Sequence, residues 1–404
     1  MRFPTSQSLF PALLTLLAGC SGPDDTKTKQ PVATSATAPD TVAALPTPAP
    51  AVPDTSATHN VAAYLAGQRV SRDSNLQSLE NQPAWQAYAT DADKSWEKYH
   101  ATRTTKIEAW AARELDSVRA VSPTIFYPFS GPDFLNVTTM FPASQTYVLL
   151  GLEPVGTVPA RATLEDPKLF AALKESLWSV LSFSFFRTNS MAVNLKSVEL
   201  DGALPLMMLF AARTNHQVEA VRYVQLTPEG QLTEADSATI RKPGPKTVPG
   251  VEMKLRTQNG QPKTVLYFSV DISDWKLGQT QDAALKYVRT LGPLTTYVKS
   301  ATYLMHKAYF SKVRNLVLER SNYVLQDDSG IAMKYFPAAD WQFTYYGTYK
   351  RPINLFAKQY QPELTAAYTD KAHPPRPLPF GTGYNWREND SNLLLARRAQ
   401  PVAQ

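Results

Sequence analysis

Between Thr124 and Leu325, short runs of β-branched and aromatic residues alternate with stretches of helical period, and no other feature narrows the fold as far. Thr124–Phe129, Thr146–Leu152, Val218–Leu226, Leu294–Val298 and Tyr323–Leu325 read as strands. Pro132–Phe141, with proline in its first turn, Pro167–Arg187, Leu204–Arg213, Asp282–Leu291 and Ala308–Arg320 read as helices. Strands interleaved with helices are the pattern of an α/β sheet whose crossovers cover its faces. One hairpin interrupts it: Val251–Thr257 and Thr264–Val270 flank QNGQPK, and Asn259-Gly260 is the dipeptide that a tight reversing turn favours. The expected fold is therefore α/β, a mixed, mostly parallel sheet flanked by helices.

Upstream, Trp85, Tyr88, Ala92, Trp96, Tyr99, Ile107 and Trp110 recur at helical steps, with Arg103 filling the gap before Ile107. Such a stripe belongs to one long helix, or two end to end, packed on the sheet as an N-terminal helical layer. Residues 20–58 are different: proline, alanine, threonine and serine dominate, and no side chain there is aromatic. That composition buries too little apolar surface to offset the entropy of ordering, so the segment reads as a disordered tether of roughly 35 Å reach. The expected organisation is a signal peptide over 1–19, the tether over 20–58, a helical segment over 59–120, an α/β domain over 121–385 and a C-terminal tail over 386–404.

The chain opens MRFPTSQSLFPALLTLLAGC, a positive charge at Arg2 followed by an apolar run that ends in small residues before Cys20. The run is too short to cross roughly 30 Å of hydrocarbon as a helix. Leu17-Ala18-Gly19-Cys20 resembles the lipobox of bacterial lipoproteins, and the resemblance implies that Cys20 is acylated and becomes the mature N-terminus. Two or more acyl chains hold a protein on a bilayer durably. Asp24-Asp25 resemble an acidic signal of lipoproteins sent to the outer face of the outer membrane. The resemblance implies an outer-membrane location facing periplasm or cell surface, with the membrane as partner through the anchor.

Cys20 is the chain's only cysteine, so no intramolecular disulfide is available. The net charge of +6 is carried by scattered rather than clustered basic residues, which argues against a nucleic-acid partner. Neither charge nor length indicates an oligomeric state.

In open α/β sheets, ligands bind beyond the carboxyl ends of the strands. The residues that follow the expected strands are Ser130-Gly131-Pro132-Asp133, Glu153-Pro154, Asp271, Lys299-Ser300 and Gln326-Asp327-Asp328-Ser329-Gly330. Ser130, Asp133, Glu153, Asp271, Lys299, Asp327, Asp328 and Ser329 are accordingly the candidate ligand-binding or catalytic residues. Asp133, Glu153, Asp327 and Asp328 together would suit a hard divalent cation, the one cofactor that an all-oxygen set invites. Ser130, Ser300 or Ser329 with Lys299 or His306 would make a nucleophile and base. Against both stands a plain reading: in DDSG, aspartates cap backbone N–H groups and Gly330 takes a positive φ. Only five histidines occur, none paired at ligand spacing, and His306 is expected to satisfy a hydrogen bond near a helix start. Trp341, Phe343, Tyr345, Tyr346 and Tyr349 either stack on sugar rings or form a strand packed on one face.

The unit TIFYPFSGPDFLNVTTMFPASQTYVLLGLEP is similar to the opening of Rossmann-like methyltransferases: strand, small-residue turn, helix, then a strand ending in an acid at Glu153. FSGPD lacks their glycine-rich turn, so the resemblance implies a Rossmann-like sheet and no organic cofactor. FYPFSGPDF, VKSATYLMH and VLQDDSGIAMKYF resemble an uncharacterised family of bacterial secreted proteins and lipoproteins, which implies a coherent fold and no activity. The expected function is a lipid-anchored envelope protein binding a small polar or glycan ligand at the strand ends. The alternative is an extracytoplasmic hydrolase using the strand-end carboxylates, with or without a metal ion to assist.

Overall fold

The structure, a computed structural model, describes residues 55–183 and 200–402. The chain divides into two units, Met1–Ala51 and Val52–Gln404, and every described residue lies in the second. The signal peptide, Cys20 and most of the tether lie outside the described residues, as does the end of the helix expected over Pro167–Arg187.

Among the described residues ten strands form one sheet: β1 Thr124–Tyr127, β2 Thr146–Gly151, β3 His216–Leu226, β4 Leu232–Glu234, β5 Val248–Thr257, β6 Pro262–Ser269, β7 Leu294–Val298, β8 Ser321–Gln326, β9 Trp341–Gly347 and β10 Asn392–Arg398. Their order is β4-β3-β5-β6-β2-β1-β7-β8-β10-β9. The five central strands β6, β2, β1, β7 and β8 run parallel. The pairings β3–β4, β3–β5, β5–β6, β8–β10 and β9–β10 are antiparallel. The sheet is thus mixed as expected, but it is not mostly parallel, since antiparallel pairings outnumber parallel ones. The reason is local on both flanks. In the chain β3, β4 and β5 fall between β2 and β6: β3 hairpins with β4 on its outer side and pairs β5 on its inner side, and β10 returns antiparallel into the gap between β8 and β9.

Alternate residues of each central strand enter different layers, the two-residue period of a doubly covered sheet. Ile125, Tyr127, Tyr147, Leu149 and Tyr267 join one apolar core. Phe126, Val148, Leu150, Leu266 and Phe268 join the other. The first core is closed by α1 Thr55–Leu65, α2 Pro83–Tyr99, α3 Thr105–Glu114, α4 Phe134–Met140, α5 Lys168–Phe183 and α6 Leu204–Arg213. The second is closed by α7 Asp274–Gln279, α8 Ala283–Arg289 and α9 Ser311–Arg320.

The aromatic stripe upstream of the sheet is buried throughout. Its phase is kept across Tyr99–Ile107 by a π-helical turn, His100–Thr104, joining α2 to α3. The wider turn absorbs one residue more than two α-turns need, and it aims the Arg103 guanidinium at the Gly381 carbonyl, 3.0 Å away. The expected tail also departs from its reading: Asn392–Arg398 is a buried strand inside the sheet. Residues 341–347 take the strand reading, with Trp341 and Tyr346 buried. Among the described residues no helix is long and apolar enough to cross a membrane.

Candidate functional site

Along the parallel strands the chain moves from β1 out to β2 and β6, then returns to β7 on the other side of β1. Neighbouring crossovers therefore leave in opposite directions at β1 and β7, and a crevice opens beyond their carboxyl ends. A cavity of about 980 Å³ occupies that crevice. Its wall is built from the exits of four strands: Phe129–Asp133 after β1, Leu150–Glu153 at the end of β2, Val270–Ser273 after β6 and Lys299–Thr302 after β7.

Five of the eight candidate residues named from the sequence come together here: Ser130, Asp133, Glu153, Asp271 and Lys299. Asp133 and Lys299 form the buried polar floor. The Lys299 ammonium lies 2.9 Å from Asp133 Oδ2, with both side chains almost wholly excluded from water. Asp133 Oδ2 also accepts the Tyr127 hydroxyl at 3.0 Å. Its Oδ1 accepts the Asn136 amide N–H and side-chain NH₂ at 3.1 and 2.8 Å, which caps α4. Buried charges survive only when paired and hydrogen-bonded, and this pair meets both conditions. Burial, followed by the charge of Asp133, pushes the Tyr127 and Tyr297 phenols well above their ordinary range, so both stay neutral.

Ser130 is committed to the backbone, its hydroxyl donating to the Leu150 and Gly131 carbonyls. Glu153 is half-buried, with Tyr267 donating to its carbonyl at 2.7 Å and to Oε2 at 3.4 Å. Its carboxylate lies against Gly131, where an added Cβ would meet both oxygens at 3.1–3.2 Å, and Gly131 itself holds φ at 52°. Asp271 accepts only the Ser273 N–H, at 2.9 Å, among the described residues.

Asp327, Asp328 and Ser329 stand behind the wall rather than in it. Asp327 accepts from the Ser300 N–H at 2.8 Å and from the Ser329 N–H at 3.0 Å, and Ser329 Oγ accepts from the Ala301 N–H at 2.8 Å. Asp328 accepts from the Tyr303 hydroxyl and, at 3.0 Å, from Asn392 Nδ2 on β10. The DDSG turn thus bolts the β8 exit to the β7 exit. Burial, and for Asp328 the adjacent charge of Asp327, raises both acids above their usual range. Gly330 does not take the positive φ expected of it; it is glycine because a Cβ there would strike the Gln326 side chain at 2.4 Å.

The bolted segment holds strain. Ser300, Thr302 and Tyr303 have φ near 53°, and Phe129 across the crevice has 61°. Left-handed backbone at non-glycine residues costs of order 1–3 kcal/mol each and persists where the surroundings enforce it. Tyr384 supplies part of that force: its hydroxyl donates to the Ser300 carbonyl at 2.8 Å and lies 3.1 Å from the Thr302 N–H.

The four carboxylates expected to share a cation do not gather. Among the described residues no three His, Cys, Asp or Glu side chains stand together as a metal site. Asp133 is spent on Lys299 and the α4 cap, while Asp327 and Asp328 are spent on the two exit loops. The nucleophile readings at Ser130 and Ser329 meet the same obstacle, since each hydroxyl is held by backbone or carboxylate. His306 makes the expected hydrogen bond on one side only: its ring meets the Gly330 backbone, while Nε2 is buried without a partner among the described residues, and it does not line the cavity.

Sequence reasoning missed the rim. Six large hydrophobic side chains are exposed among the described residues, and four of them, Leu152, Trp275, Tyr309 and Leu355, line this one cavity. Phe129, Phe310 and Phe356 continue the apolar wall inward. Single aromatic residues in α7 and in the loops before α9 and after β9 carry no motif; only their convergence marks them. No family model and no curated protein matches this chain.

Proposed function

We propose that this chain is a lipid-anchored cell-envelope protein whose sheet binds a small polar, ring-bearing ligand at the carboxyl ends of β1, β2, β6 and β7, with envelope glycans the first class to consider. One observation carries the reading: among the described residues, four of the six exposed large hydrophobics surround one polar-floored cavity at the strand exits. Binding sites combine an apolar wall with a few placed polar groups, and exposed apolar patches mark surfaces that meet something. The five parallel strands run, in chain order, third-second-first-fourth-fifth, which supports a Rossmann-like reading of the core. A phosphate-bearing nucleotide does not fit that reading. Asp133 already fills the amide end of α4 where a phosphate would sit, and no glycine-rich turn approaches it.

The hydrolase alternative, expected to use the strand-end carboxylates, would have to turn instead to Ser300, whose hydroxyl has no partner among the described residues and whose backbone is left-handed at a strand exit. It ranks second because the neighbouring acids and serines are engaged elsewhere.

Thermal unfolding of the full-length protein with a panel of envelope oligosaccharides tests the binding reading. A ligand at about 100 times its Kd adds about 2.7 kcal/mol of stability. Trp275→Ala and Leu355→Ala, both at exposed positions, should abolish the shift without lowering the unliganded midpoint; a shift that survives both variants places the ligand elsewhere. Cys20→Ala should move the protein from the membrane to the soluble fraction, and retention at the membrane overturns the anchor.

A further inference from the structure

We infer that the ligand of the strand-end cavity is an organic cation, an amine or quaternary ammonium compound, an amino sugar included. The inference rests on the cavity being a binding site and concerns the charge of what it binds.

Among the described residues the lining carries Asp133, Glu153 and Asp271 against one base, Lys299. Lys299 and Asp133 close on each other at 2.9 Å in the floor. The charge that remains belongs to Glu153 and Asp271. Among the described residues neither carboxylate is in an ion pair; one meets a tyrosine hydroxyl at 3.4 Å and the other a backbone N–H at 2.9 Å. The chain as a whole is positive by 6, so the negative sign of this cavity is local and opposes the bulk charge. Low-dielectric walls around charges of one sign focus the field and raise the local concentration of counter-ions.

The walls add a second attraction of the same sign. Phe129, Trp275, Tyr309, Phe310 and Phe356 line the cavity beside the two acids. Aromatic faces carry negative quadrupole density and hold ammonium groups within about 6 Å, the basis of aromatic cages for quaternary amines. A simple metal ion would find too few oxygens, since no group of three ligating side chains exists among the described residues. An anion would meet two carboxylates and an amide end already capped by Asp133. A neutral sugar would stack on the rings but leave both negative charges uncompensated. An organic cation uses rings and carboxylates together.

The test compares matched probes on the full-length protein by calorimetric titration and thermal unfolding. Glucosamine is set against glucose, and choline against glucuronate, at fixed ionic strength. Glucosamine should bind at least about fivefold more tightly than glucose, choline should bind and glucuronate should not, and added salt should weaken the cationic probes alone. Glu153→Gln with Asp271→Asn should remove the preference. Trp275→Ala, at a surface position, should weaken choline even if the double variant folds poorly. Equal affinity for glucose and glucosamine, both lost in Trp275→Ala, overturns the charge assignment and leaves the binding reading standing. Binding of every probe unchanged in Trp275→Ala, or of none, overturns both.

Discussion

At the scale of single residues, candidates with the same chemistry divide sharply by what they touch. Asp271 and Asp327 both follow a strand, yet Asp271 accepts one turn N–H while Asp327 accepts the amides of Ser300 and Ser329 and ties two strand exits together. Removing a buried acceptor strands its donors at about 1–3 kcal/mol each. Asp327→Ala should therefore cost about 2–5 kcal/mol and loosen the 299–303 loop, whereas Asp271→Asn, which keeps an acceptor, should stay within about 0.5 kcal/mol. Chemical denaturation of the two variants beside the parent checks this, and equal costs would refute the division. The sequence made these residues visible because polar groups at strand exits are conspicuous against apolar strands. It could not distinguish a lining acid from a bolting acid. That difference depends on whether a side chain turns into the crevice between β1 and β7 or back toward β10, and Asn392, the β10 partner of Asp328, lies 64 positions away.

At the scale of elements, legibility followed the range of the interactions that define each one. Leu204–Arg213 and Leu294–Val298 were readable to the residue because helix period and a buried apolar run are local signals. The β5–β6 hairpin was readable because Asn259-Gly260 sits at its turn. β10 was not. NLLLARR follows a polar, proline-rich stretch, and its strand character comes from β8 and β9, both remote in sequence. The sheet's antiparallel majority was hidden for the same reason, since β3 finds β5 across the β4 excursion. The β10 assignment has a direct consequence. Leu393, Leu394, Leu395 and Ala396 are all buried, and losing them exposes the β8 and β9 edges to solvent. Each buried leucine is worth about 1.5–3 kcal/mol, so a chain truncated after Arg387 forfeits at least about 5 kcal/mol, comparable to the whole stability of many domains. It should accumulate in the insoluble fraction or show no cooperative melt. A truncated chain that melts like the parent would mean that 392–398 adds nothing to the stability of the sheet, as the tail reading of 386–404 implies.

At the scale of the whole molecule, buried titratable groups give the fold an acid response with two opposing parts. His216 and His306 are held down to about 4, chiefly by burial, with Lys263 opposing protonation at the first and Lys334, Lys307 and Arg314 at the second. A histidine whose folded pKa is lowered binds fewer protons than in the unfolded chain, so its neutral form supports the fold above pH 6.5. That support is lost as pH falls toward 4, by roughly 3 kcal/mol each. Asp328 works the other way. Its folded pKa is raised above 3.8, so the folded chain binds its proton more readily, and acidification through that raised value adds stability until the unfolded acid protonates as well. The two responses meet physically at Tyr303, whose ring packs edge-on against His306 at 5.1 Å and whose hydroxyl donates to Asp328. The melting midpoint should therefore fall as pH drops from 6.5 toward 4. His306→Gln should flatten the fall by removing one histidine. Asp328→Asn, an amide in place of the protonated acid, should steepen it, because the compensating uptake is gone. Melting curves of the three proteins across that window decide the matter: a fall in Asp328→Asn no steeper than the parent's would mean that the acid pair does not take up a proton on folding, and that the DDSG turn is only a backbone staple.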